Sequence, residues 1–260
     1  MRIRIAPQYT ASESFIRSLA RPGYFEQNGR TLQKGRNTIK LFAIRDHRYV
    51  VKGYEHLSYI NRLAYGVFRK SKAERAYCHA VRLRNLGIDT PTEVAFLETR
   101  RHGLLQMCYF VALYSEYKPL RPIMGPDAQN PEAAAVLEAL AAFLLRMHDA
   151  GVLHKDLNIG NILYQEDGGG GYRFQVIDTN RMQFRRRLSL RKRLDNLRRL
   201  SCPAPAYLHI LEAYAKLAHV NTDSVQLKGT VMRLFFEMRQ RSKRWMKAFL
   251  KKRIHSEKRD

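Results

Sequence analysis

Between His154 and Asn161 the chain reads His-Lys-Asp-Leu-Asn-Ile-Gly-Asn, and a short apolar run further on ends in Val176-Ile177-Asp178. These residue types at this spacing suit phosphoryl transfer. A carboxylate at Asp156 can accept a hydroxyl proton. The amide oxygen of Asn161 and the carboxylate of Asp178 are hard ligands of the kind that hold Mg²⁺ between ATP phosphates. Apolar residues on both sides of the loop fix these groups at the mouth of a cleft. An Asp and an Asn five positions apart also occur in ordinary surface turns. Here His, Asp, Leu, Asn, Ile and Leu fall together and a second Asp closes an apolar strand, so the conjunction carries the reading.

The pattern resembles the catalytic loop and metal-binding Asp of the protein-kinase-like superfamily, and that resemblance says what else to expect upstream. Tyr49-Val50-Val51-Lys52-Gly53-Tyr54 reads as a β-branched strand carrying one Lys. A Lys inside an apolar strand is costly to bury without partners. In a kinase-like site the partners are the ATP phosphates and a helix Glu. Glu74, in Ser71-Lys72-Ala73-Glu74, opens a helix that runs to Leu86 and stops at Gly87, with Pro91 beyond. The expectation is therefore that Lys52 binds nucleotide phosphates and that Glu74 pairs with Lys52. Lys34-Gly35-Arg36-Asn37 lies between two strand-like segments and reads as the hairpin covering the phosphates, with Gly35 allowing close backbone approach. It lacks the G-x-G-x-x-G pattern, and any hairpin with a Gly turn would look similar.

These groups need a frame. Strands are expected at Thr31–Gln33, Thr38–Ile44, Tyr49–Tyr54, Glu93–Thr99 and Gly103–Leu113, and Leu113–Tyr117 takes the place of a hinge to adenine. The polar stretch Lys118–Pro131 marks a lobe boundary. Asn130-Pro131 is a helix start, and Ala133–Ala150 is Ala- and Leu-rich at helical spacing, ended by Gly151. Gly168–Gly171 is a hairpin tip. The expected fold is α+β and bilobal: residues 25–117 as a small antiparallel-sheet lobe with one helix, and residues 118–260 as a mainly helical large lobe with a basic tail. Together they make one domain of 260 residues, a length that can bury a substantial core.

Composition narrows the partners. Cys78, Cys108 and Cys202 are scattered singly, which argues against zinc sites and disulfide frameworks and for a reducing compartment. The N-terminus shows no apolar signal core and no run is long enough to span a bilayer. The expectation is a cytoplasmic protein. Formal net charge is +24, and Arg185–Asp260 holds 21 Lys/Arg against 6 Asp/Glu. Such a surplus attracts polyanions, either an anionic membrane surface or nucleic acid. Val231–Ile254 mixes aromatics and cations as an interfacial amphipathic helix does. A large-lobe helix packed by those same aromatics reads identically.

The loop, with Ile177-Asp178-Thr179-Asn180-Arg181 and Leu194-Asp195-Asn196-Leu197-Arg198-Arg199-Leu200 downstream, is similar to the lipopolysaccharide core kinases, which phosphorylate Kdo or heptose. The likeness spans Thr31 to Leu200. It implies ATP and Mg²⁺, with Asp156 deprotonating a sugar hydroxyl and Asn161 and Asp178 holding the metal. It also implies an anionic glycolipid as acceptor, at the inner face of a bacterial cytoplasmic membrane, which favours a membrane surface over nucleic acid as the polyanion; no obligate protein partner is inferred. Three departures from protein kinases stand out. Thr179-Asn180 follows Asp178 where Phe-Gly is usual, Asn158 replaces a Lys, and no long activation segment or Ala-Pro-Glu follows Arg181. Without a peptide-docking platform the acceptor reads as a small or lipid-linked hydroxyl. Two rivals use the same residues: an atypical, RIO-like protein kinase, and a non-catalytic basic binding module.

Overall fold

The computed structural model describes residues 1–54, 70–102, 104–121 and 131–256. The expected helix start at Asn130, most of the boundary stretch and Gly103 lie outside these residues. The chain forms two compact units. The first comprises Met1–Pro119, Asn161–Gly169 and Arg173–Gln183; the second comprises Leu120–Gly160, Gly170–Tyr172 and Phe184–Asp260.

The first unit is built on β1 (Arg2–Ile5), α1 (Glu13–Ser18), α2 (Tyr24–Gln27), β2 (Arg30–Gln33), β3 (Thr38–Ile44), β4 (His47–Gly53), α3 (Lys72–Asn85), β5 (Glu93–Arg101) and β6 (Leu104–Leu113). Its strands make one sheet in the order β1-β5-β6-β4-β3-β2, antiparallel throughout. Period-two alternation along β4 buries Tyr49 and Val51 on one face and turns Lys52 to the other. On the Tyr49 face lies a core of Phe15, Ile16, Leu19, Phe25 and Phe42. That core comes largely from α1 and α2, which the sequence reading did not anticipate. On the Lys52 side α3 packs Ala73 and Tyr77 against Tyr54, Phe96, Leu105 and Cys108. Gly53 is needed where it stands, because a Cβ there would meet the Phe25 ring at 2.9 Å.

α3 forms where its end signals place it. The Ser71 side chain accepts the Glu74 amide hydrogen at 3.0 Å, and Gly87 leaves the helix at φ +70°. A smaller three-stranded sheet joins Lys118–Pro119, Ile162–Glu166 and the strand that ends at Val176.

The second unit is mainly helical: α4 (Pro131–Asp149), α5 (Leu190–Leu197), α6 (Ala204–Leu217) and α7 (Thr222–Ser256), with a short strand Val152–His154 after α4. α4 buries Val136, Leu137, Leu140, Ala141 and Leu144 at helical spacing, as its composition predicts. Gly151, at φ +75°, has the Arg185 carbonyl oxygen 1.9 Å from where a Cβ would sit, so only glycine fits. α7 starts at Thr222, well before the expected Val231. Asn221 caps it by accepting the Ser224 amide hydrogen at 2.8 Å.

Candidate active site

In the first unit the strand cation and the second acidic residue meet. Lys52 Nζ lies 2.7 Å from Asp178 Oδ1, with both side chains mostly buried. Asp178 sits in the left-handed region at φ 57°, ψ 50°, a conformation that costs a non-glycine residue energy and persists only where surroundings impose it. Those surroundings are visible. Asn180 Nδ2 donates to Asp178 Oδ1 and, at 3.4 Å, to the Tyr54 hydroxyl. Thr179 Oγ1 donates to the Ala76 carbonyl at 2.9 Å, and the Thr179 carbonyl bonds His79 Nδ1 at 2.8 Å. At the two positions where Phe-Gly is usual, Thr179 thus ties the segment to α3, and Asn180 links the carboxylate to Tyr54 at the end of β4. Burial lowers the His79 pKa, partly offset by this bond.

Further cations gather on Tyr54. The ammonium groups of Lys52 and Lys72 lie 5.6 Å and 5.7 Å from its ring centre. Burial lowers the Lys72 pKa, and the neighbouring charges of Arg36, Arg75 and Lys52 push it the same way. Burial, and then the Asp178 charge, raise that of Tyr54. Like charges held together in this way suit a polyanion that relieves their repulsion. Lys72, Tyr54 and Asn180 were missed as site residues. The signal was faint, because each is an ordinary residue whose role depends on a contact distant in sequence.

Glu74 requires a correction. Its carboxylate does not pair with Lys52; it receives both terminal nitrogens of Arg2, at 2.7 and 2.8 Å. The reason lies in β1. Pairing of Arg2 with Glu98 in the sheet register brings the Arg2 guanidinium to the buried Glu74, and a two-pronged Arg–carboxylate contact outcompetes a single ammonium. Lys52 is left to Asp178. Gly35 lies at the tip between β2 and β3, where the hairpin was expected. Its backbone needs no glycine there, and a Cβ would meet nothing within 4 Å. Asn161 follows the loop on a short 3₁₀ turn, and its carbonyl accepts the Ile177 amide hydrogen at 3.0 Å. That bond ties the Asn161 backbone to the residue before Asp178.

In the second unit Asp156 stands on a braced loop. His154 is fully buried, and its Nδ1 accepts the Asp156 amide hydrogen at 3.1 Å. Asn158 Nδ2 donates to the Asp156 carbonyl. Asn196, on α5, holds the strand end: its Nδ2 donates to the His154 carbonyl at 2.7 Å and its Oδ1 accepts the His154 amide hydrogen at 3.2 Å. Behind it His148 contacts Asn196 Oδ1 and the Tyr214 hydroxyl, and burial pulls the His148 pKa down to about 4. His154 and Asn196 were both in quoted motifs. The two-point grip of Asn196 on His154 was not expected from either motif.

The donor set fits a Mg²⁺ ion. An amide oxygen and a carboxylate are the hard ligands it accepts beside phosphate and water oxygens, and Asp178 already holds a cation in Lys52. Among the described residues no cluster of three or more His, Cys, Asp or Glu could cage a metal, so phosphates and water would have to complete the shell.

The chain is 26% identical over 153 residues to a 3-deoxy-D-manno-octulosonic acid kinase of Vibrio cholerae serotype O1, covering 56% of this chain and 63% of that relative. A solved structure of WaaP in complex with acyl carrier protein superposes with a TM-score of 0.62 at 19% identity, covering 93% of this chain and 99% of that one; the fold is the same α+β, kinase-like one. Residues 24–204 match the model of the lipopolysaccharide kinase (Kdo/WaaP) family, and the chain belongs to that family.

Proposed function

We propose that this protein is an ATP- and Mg²⁺-dependent phosphotransferase that moves the γ-phosphoryl group of ATP to a sugar hydroxyl of the lipopolysaccharide inner core. The observation that carries the reading is the 2.7 Å contact of Lys52 with Asp178, in a chain whose catalytic-loop residues follow the kinase order. On this reading the first unit binds nucleotide and the second supplies the base. Lys52 and Lys72 hold the triphosphate oxygens, and Gly35 with its hairpin covers them. Asn161 and Asp178 hold Mg²⁺, which when bound neutralises phosphate charge and fixes its geometry. Asp156 orients the acceptor hydroxyl and takes its proton as the new O–P bond forms and the bond from the γ-phosphorus to the departing ADP breaks. Glu74 acts through Arg2 on the position of α3. The acceptor's lipid anchor places the reaction at the inner face of the cytoplasmic membrane. No helix among the described residues is long and apolar enough to cross it.

The test is incubation with labelled ATP, Mg²⁺ and two acceptors side by side, a lipid A–Kdo glycolipid and a protein substrate. Label on the glycolipid alone supports the reading. Label on protein alone makes this an atypical protein kinase, and label on neither points to a basic binding module.

A further inference from the structure

α7 carries two apolar faces; among the described residues one packs on its own unit, while of the other only Leu227 and Val231 border a hollow shared with Leu190 and Leu194 of α5. Val225, Gly229, Arg233 and Phe236 lie on the inner face. A Cβ on Gly229 would meet Leu211 at 2.6 Å, the Tyr207 hydroxyl donates to the Gly229 carbonyl, and Arg233 lies over the Tyr207 ring at 4.6 Å. Phe236 sits beneath Arg198 and Arg199. At 100° per residue the opposite face presents Leu227, Val231, Leu234, Met238, Trp245 and Phe249. Their exposures run from 41 to 70%. Trp245 and Phe249 stack on each other at 5.6 Å in the open.

This stripe extends about 33 Å along the helix at its normal rise. Soluble monomers rarely leave so long an apolar surface uncovered. The same period puts exposed Lys228 and Arg239 along one edge of the stripe and exposed Arg241 and Arg244 along the other. Aromatic and aliphatic residues on a straight face with cations on both borders match the headgroup–acyl boundary of a lipid layer, which is flat, apolar beneath and negatively charged above. The excess of positive charge from Arg185 onward, 21 Lys/Arg against 6 Asp/Glu, gives the same sign of complementarity across the region.

We infer that the outer face of α7 is an interfacial membrane anchor that lies in the plane of an anionic bilayer, with Trp245 and Phe249 among the acyl chains and the bordering cations at the lipid phosphates. The anchor deepens the membrane location proposed above and would keep a lipid-linked acceptor within reach.

Trp245 is the chain's single tryptophan, which makes the test direct. The full-length protein is mixed with vesicles of phosphatidylcholine, with and without phosphatidylglycerol, in the absence of ATP and acceptor. The expected result is a blue shift of Trp245 emission and quenching by brominated acyl chains, on the anionic vesicles only. The variant Leu234→Glu/Met238→Glu/Phe249→Glu should partition about tenfold less or weaker still, with circular dichroism and thermal midpoint unchanged because all three side chains are exposed. Three results overturn the inference: flotation with anionic vesicles while Trp245 keeps its emission in water, concentration-dependent shielding of Trp245 without any vesicles, or shielding by an acidic carrier protein but not by vesicles. None of these readouts needs catalysis, so failure of the anchor and failure of the kinase reading are told apart.

Discussion

Asp178 shows how little of a site a residue type conveys. Its identity and distance from Asn161 were legible in the sequence, and so was the loop around Asp156. Its left-handed backbone, its bond from Asn180 and its pairing with Lys52 depend on tertiary contacts that no local pattern encodes. Glu74 makes the same point in reverse. Its helix and cap followed from Ser71-Lys72-Ala73-Glu74, but its partner is Arg2, 72 residues away, on a strand too short to announce itself. At Gly35 the structure separates two reasons for glycine. The backbone and its neighbours there accept a side chain, so Gly35→Ala should leave stability within about 0.5 kcal/mol of wild type by denaturant unfolding. A loss of ATP affinity in that same variant would then report phosphate approach and nothing else.

Among the elements, the sheet, α3 and α4 were legible because each carries its own period and end signals. α1 and α2 were not. They are only six and four residues long, and their apolar residues make sense only against the far face of the sheet. α5 contributes the most informative side chain of the second unit. Asn196→Ala removes the partner of both the amide and the carbonyl of buried His154, which should cost about 2–4 kcal/mol of stability. It should also lower kcat, because Asp156 loses its brace, while Mg·ATP affinity in the first unit holds. Loss of nucleotide affinity in equal measure would reduce Asn196 to a general packing residue. His148, behind it, ties stability to pH. Its folded pKa near 4 lies below the ordinary 6.5, so the unfolded chain takes up a proton first as pH falls. Stability from this group is intact above pH 6.5 and declines down to about pH 4, by about 2 kcal/mol between pH 7 and 5. Urea titrations of wild type and His148→Gln at those two pH values check the sign. The gap between them should narrow at the lower pH.

For the whole molecule the dominant quantity is the formal charge of +24. Composition alone revealed it, and with it the sign of the charge that a long-range field of this kind attracts. It left open whether the aromatic residues of the tail face inward or outward, since a helix packed on both sides and one packed on one side share the same letters. The structure divides them, with Phe236 inward and Trp245 and Phe249 outward. A field of this size predicts that KM for an anionic glycolipid acceptor rises several-fold from low to physiological ionic strength, as exposed charges are screened beyond about 8–10 Å. The KM for Mg·ATP should change less, because its cations are partly buried. Steady-state kinetics across a salt series, varying one substrate at a time, would show the difference. Equal slopes would contradict a long-range role for the tail.

On the proposed mechanism Lys52 and Asp178 serve a metal-bound triphosphate while Asp156 serves the acceptor. Calorimetric titration with ATP, with and without Mg²⁺, tests it on wild type, Asp178→Asn and Asp156→Asn. Metal-dependent binding is expected in wild type, with its loss in Asp178→Asn and its retention in Asp156→Asn. ATP binding of equal strength with and without Mg²⁺ in the wild-type protein would contradict it.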